Sequence, residues 1–175
     1  MIVQPLVIAL MLFMQEEQGH DPGPPYKITI LDLVYTVENL AGRVDDLAVT
    51  ENDTEVRIEM AADVLFDFDK ANLLPKAAET LQKAADLVRQ KAGKGNVRIE
   101  GHTDAKGSDS YNQNLSNRRA ESVKKWFTSH GLKDLHFATE GFGAKKPVAP
   151  NTKPDGSDDP NGRAKNRRVE IVITK

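Results

Sequence analysis

Arg118 and Arg119 stand side by side in "NQNLSNRRAESVKKWF", and their surroundings differ. At about 100° per residue, Leu115, Val123, Trp126 and Phe127 line up as the apolar stripe of a helix. Arg119 falls at the centre of that stripe, one turn from both Leu115 and Val123, whereas Arg118 lies off it with Lys125 as solvated charge. A guanidinium stays charged inside a protein and is almost never buried without a partner. Arg119 therefore calls for an anion: a protein carboxylate, with Asp104 and Asp67 the candidates, or an anionic group on a ligand. Asn112 sits on the same stripe two turns earlier. Asp104 closes "NVRIEGHTD", at the carboxyl end of a strand, where open α/β sheets place ligand crevices. An acid, an amide and a base brought together can grip an ammonium and a carboxylate at once, which is the chemistry of a zwitterion pocket.

Other groups of reactive residues are weaker. Asp67 and Asp69 alternate in "FDFDK" and would share one face of a strand, the arrangement of an acid/base pair; this is the opening for a competing reading, a hydrolase, and no second constellation supports it. His20, His102, His130 and His136 lack metal-ligand spacing, and His102 reads as a loop or pocket-wall residue. "DGSDDPNG" has the composition of a calcium loop without the spacing or the closing glutamate. "NGRAKNRR" is basic, but no aromatics interleave it and the chain carries a net charge of −2, which argues against nucleic acid. With no cysteine, a disulfide framework, a thiolate metal site and a lipid-bearing cysteine are all excluded for this sequence. The expectation is a binding protein rather than an enzyme, with no metal or cofactor.

The elements that must position these residues follow from periodicity. "TEVRIEM" alternates Val56, Ile58 and Met60 as a half-buried strand. "ANLLPKAAETLQKAADLVRQKAGKG" places Leu74, Ala77, Ala78, Leu81, Ala84, Ala85 and Val88 at helical spacing, with Pro75 near the start and Gly93 past the end. "NVRIEGHTD" is a strand with Val97 and Ile99 inward. A second helix runs from about Ser110 to His130 and is closed by Gly131. "LHFATEGFG" and "RRVEIVITK" are the last strands, the latter with Val169, Ile171 and Ile173 on one face. The order β-α-β-α-β-β describes an α/β (α+β) sandwich, a mixed sheet with helices packed on one face. The polar stretch from Ala144 to Asn166 is expected to be an excursion over the surface.

Four motifs in this order, "ADVLFDFDKANL", "RIEGHTDAKGSDSYNQNLSNRRAESVKKWF", "EGFGAKKPVAPN" and "GRAKNRRVEI", resemble the OmpA C-terminal-like family, the peptidoglycan-binding module of outer-membrane proteins and of the Pal lipoprotein. The resemblance covers residues 63–175 and implies non-covalent binding of the stem peptide through diaminopimelate. It assigns Asp104 to the ligand's ammonium and Arg119 to its carboxylate in a bidentate fork. Asn112, Arg167, Asp67 and Thr103 of the "GHTD" motif are implied to line the same pocket. The implied location is the periplasm, in association with the outer membrane.

Composition agrees with a globular domain: 39% hydrophobic and 29% charged residues over 175 positions suit one well-buried domain with an extension. The expected division is an apolar N-terminal segment with a Gly/Pro-rich break over 1–25, an extension with at least one strand over 26–62, and the binding domain over 63–175. Leu6 to Met14 is too short for a membrane span and closer to a signal-peptide core, although a basic start and an A-x-A site are missing. It is a targeting segment or an apolar surface for the domain or a partner. No transmembrane β-barrel is legible, and a flagellar-stator version is disfavoured because no spanning stretch carries an ionisable residue. The extension is a candidate surface for an envelope-protein partner, and a homodimer is a further candidate.

Overall fold

The computed structural model describes residues 47–93 and 95–175. The expectations for residues 1–25, and for the extension up to residue 46, lie outside the described residues.

Alternation builds the sheet. In β2 (Glu55–Ala61), Val56, Ile58 and Met60 are buried on one face, and Glu55, Arg57 and Glu59 occupy the other. A tight turn joins β2 to β1 (Leu47–Glu51), with Asn52 Oδ1 accepting from the Thr54 and Glu55 amides at 2.9 Å. Three further strands complete the sheet: β3 (Asn96–His102), β4 (His136–Gly143) and β5 (Arg168–Thr174). Their spatial order is β1-β2-β5-β3-β4, antiparallel throughout except for the parallel pair β3–β4. Strand β2 pairs along its whole length with β5, from Glu55–Thr174 to Ala61–Arg168. The strands before residue 62 and the segment after it thus form one sheet.

Two helices cover the apolar face. In α2 (Ala77–Ala92), Ala77, Leu81, Ala84, Ala85 and Val88 are fully buried, while Ala78 faces solvent and Leu74, ahead of the helix, is half-buried. Gly93, at φ 52°, ends it. The longer α3 (Asp109–Ser129) starts at Ser108, whose hydroxyl accepts from the Tyr111 amide at 3.3 Å. Val123 and Phe127 enter the common core with Ile58, Met60, Ile99 and Ile171, each fully buried large side chain contributing about 1.5–3 kcal/mol. A four-residue helix, α1 (Ala62–Leu65), links β2 to the loop before α2.

The seat of α3 is a pair of glycines. Gly101 of β3 and Gly141 of β4 are register partners. A Cβ at Gly101 would lie 2.2 Å from the Ser116 carbonyl oxygen, and one at Gly141 would lie 2.5 Å from the Asn117 nitrogen. The helix therefore rests on strand backbone, and it is fastened there: the Asn117 side-chain oxygen accepts from the Gly141 amide at 2.6 Å and the Ser116 hydroxyl accepts from the Gly143 amide at 2.9 Å.

The stretch from Ala144 to Asn166 departs from the expected excursion in its last third. There α4 (Pro160–Asn166) forms, because Asp159 caps the Asn161 and Gly162 amides at 3.1 Å and Pro160 is pre-set for the first turn. Among the described residues no helix is long and apolar enough to cross a membrane.

Candidate functional site

The helical phase separates the two arginines as expected: Arg119 is 3% exposed and Arg118 is exposed. Arg119 reaches across to the loop after α1. Its Nε donates to the Lys70 carbonyl at 3.0 Å, and its guanidinium lies 5.1 Å from the centre of the Phe66 ring. Among the described residues it makes no ion pair; the acids whose fields it feels are Asp63 and Asp69. Burial is the leading cause that pulls its pKa below the usual arginine value, with the neighbouring positive charge of Arg167 acting in the same direction. Neither Asp104 nor Asp67, the protein partners weighed from the sequence, takes it.

Asp104 is engaged elsewhere. It sits two residues past β3, and its Oδ2 accepts from Arg167 Nη1 at 2.9 Å and lies 3.6 Å from Arg163 Nε, while Oδ1 accepts from the Lys106 amide at 3.0 Å. Arg167 also forks onto Asp63, at 3.0 and 2.5 Å. These charge-assisted bonds, the Asp63 pair foremost, raise the Arg167 pKa. Asn112 is 3% exposed, and its side-chain amide donates to the Lys106 carbonyl at 2.9 Å and the Asp104 carbonyl at 3.4 Å. Thr103 is buried, and its hydroxyl has no hydrogen-bond partner.

Arg167 and Asn112 therefore both hold Asp104, and Arg119 shares the field of Asp63 with Arg167. A carboxylate has about four acceptor positions, so Asp104 keeps capacity for a ligand ammonium beside its protein bonds. Asp67 is not part of this contact network. It lies exposed in the loop between α1 and α2, paired with Lys70 at 3.0 Å. The Asp67/Asp69 acid/base pair fails for the same reason. The two do not alternate on a strand: Asp69 has a left-handed backbone, φ 63°, and accepts the Tyr111 hydroxyl.

Sequence reasoning missed Asp63 and Arg163, which complete the ion-pair chain. Asp63 had a signal, as an acid placed just after a strand and in the first turn of α1.

The opposite face of the sheet holds a second cluster. Glu100 and His102 on β3, and Glu170 on β5, bring ligand-type atoms within 4.8 Å of one another. His102 is thus the last residue of β3 and is buried, and both its ring nitrogens lack a hydrogen-bond partner. Cations already occupy this cluster: Arg98 on Glu100 at 2.6 Å, Arg168 on Glu170 at 2.6 Å, and Arg57 on Glu170. Burial first, and the nearby Arg168 next, push His102 down to about 4, so the ring is neutral. This is the chemistry of an internal ion-pair network rather than of an electron-rich metal cage.

A family model for the OmpA family matches residues 65–161. The chain belongs to the OmpA family. Its relatives include a Gloeobacter violaceus protein named photosystem I P700 chlorophyll a apoprotein A2, 45% identical over 67% of this chain and 13% of that protein. The peptidoglycan-binding protein ArfA of Mycobacterium tuberculosis is 33% identical over 87% of this chain and 39% of its own length. Among solved structures, the cell wall anchor of the T6SS from Pseudomonas aeruginosa matches with a TM-score of 0.62 and 30% identity, covering 74% of this chain and 87% of that one. This OmpA-family chain spans well under two thirds of the length of these two curated relatives.

Proposed function

We propose that this chain binds peptidoglycan non-covalently through the diaminopimelate of the stem peptide, without cleaving it, and so tethers the cell envelope to the wall. The observation that carries the reading is Arg119: a buried guanidinium with no carboxylate partner among the described residues, which feels the charge of Arg167, and Arg167 in turn holds Asp104, an acid that retains acceptor capacity. A ligand carboxylate supplies the missing anion, and Asp104 receives the adjoining ammonium. Asn112 and Arg167 hold Asp104 and its loop in place, and Thr103, with its buried and unpartnered hydroxyl, precedes Asp104 in that loop. The names of two relatives, a peptidoglycan-binding protein and a cell wall anchor, point the same way. The corresponding location is the periplasm, in association with the outer membrane.

A pull-down on purified sacculi tests this directly. The intact chain co-sediments, and the Asp104→Asn, Arg119→Ala double variant stays in solution. Soluble muropeptides released by the pure protein would instead mark an enzyme.

A further inference from the structure

A groove of ≈ 540 Å³ opens beside the Arg119 cluster, along the exposed flank of α3. Lys70 joins the two, because its carbonyl receives Arg119 while the residue itself lines the groove. Asn72, Asn117 and Ser122 give it neutral polar walls, and Arg118 and Lys125 are among its charged lining residues. Of the other charges there, Lys70 and Glu121 have ion-pair partners, whereas Asp69 accepts only a neutral hydroxyl and keeps its negative charge. Lys70 pairs with Asp67 at 3.0 Å, Asp69 holds the Tyr111 hydroxyl, and Glu121 faces Lys124 at 4.0 Å and accepts from Thr139. Arg118 and Lys125 make no ion pair among the described residues, and both are exposed. They lie two helical turns apart, about 10 Å, roughly the span of three extended residues.

We propose that Arg118 and Lys125 form a second subsite for the same stem peptide, reading a carboxylate that flanks diaminopimelate. This rests on the proposed function and extends it from a grip on one residue to a grip on a peptide. Charge complementarity supplies the argument: the occupant of the neighbouring pocket is part of a polyanionic chain, and the groove offers the only unneutralised cations of its lining. The two candidate carboxylates are the α-carboxylate of the preceding γ-linked D-glutamate and the terminal carboxylate of a following D-alanine. Their shared chemistry is what the subsite recognises.

The test is a titration of wild type and of the Arg118→Ala, Lys125→Ala double variant with the tetrapeptide L-alanyl-γ-D-glutamyl-diaminopimelyl-D-alanine. Two further probes have one flanking carboxylate each converted to the amide. Exposed charge pairs are individually weak, so the expected loss for the double variant is about tenfold on the free-acid peptide. The wild type loses affinity for one amidated probe, which identifies the carboxylate being read, and the double variant no longer distinguishes that probe from the free acid. Equal affinity of wild type and double variant for the free-acid peptide overturns the subsite and leaves the Arg119 reading standing. No binding of any probe by wild type removes both.

Discussion

At the scale of single residues, Arg119 and Asp104 have different tasks in the unliganded protein, and variants separate them. Arg119→Ala gives up one charge-assisted bond to a carbonyl and strands no opposite charge, so the expected cost in folding is about 1–2 kcal/mol. The expected cost in binding is larger, about 2–5 kcal/mol, as for loss of one member of a buried pair. Asp104→Asn breaks the chain Asp63–Arg167–Asp104–Arg163 and lowers the melting temperature as well as the affinity. Thermal melts beside stem-peptide titrations check both; an Asp104→Asn protein melting at the wild-type temperature would show that the ion pairs contribute nothing. A second expectation concerns His102. Its folded pKa, about 4, lies below the value near 6.5 of the unfolded chain, so the unfolded state binds the proton more tightly. Stability is complete above pH 6.5 and declines as pH falls toward 4, by on the order of 3 kcal/mol at the acid end. Glu100, Glu170, Arg57, Arg168 and Lys146 face the ring, and Glu170, itself held low, adds its own loss only below the usual carboxylate range. Urea denaturation between pH 5 and 7 should show the decline in wild type and its absence in His102→Gln. Arg119 was legible from the sequence because a helix has one phase, and its stripe was marked by four large apolar residues. The pairing of Asp104 was not, since Arg163 and Arg167 lie some sixty residues further along the chain, and Asp63, which shares Arg167, lies about forty residues before it.

At the scale of elements, the contact between α3 and the strands is the least forgiving part of the fold. Gly101→Ala would force the helix off the Ser116 carbonyl, and Gly141→Ala off the Asn117 nitrogen, backbone atoms that cannot swing aside. Each is expected to cost at least the 1–3 kcal/mol typical of overpacking, read as a lower denaturation midpoint. The folded fraction should also bind stem peptide more weakly, because Arg119 and Asp104 sit on the two elements being pried apart. Removal of strands gives a complementary test. Among the described elements, a chain beginning at Asn52 loses only the edge strand β1 and is expected to fold and bind; one beginning at Asp63 loses β2 as well, exposes the long flank of β5, and is expected not to fold. Circular dichroism of the two truncated chains decides. Long helices and alternating strands were readable because Val56, Ile58, Met60 and Val169, Ile171, Ile173 repeat with period two. The short pieces escaped: α4 announces itself only by Asp159-Pro160, and β1 offers Leu47 and Val49 as half-buried residues, too few for a pattern.

For the molecule as a whole, strand register decides where things meet. Leu47 pairs with Met60, Ala61 with Arg168, and Val169 with Gly101. The start of β1 and the point where the chain leaves β3 toward Asp104 are therefore at the same end of the sheet, with β2 and β5 between them. If the chain acts as the proposed tether, a force applied at Leu47 and opposed at a ligand held by Asp104 and Arg119 runs across the strands, not along them. Strand β1 then opens like a zipper, one backbone pair after another, instead of resisting in shear with every pair at once. Its five residues would release up to about 17 Å of slack before any load reached β2 and the core. In the proposed tether the edge strand would be a short length of give in the line, yielding at low force while the binding pocket stays intact.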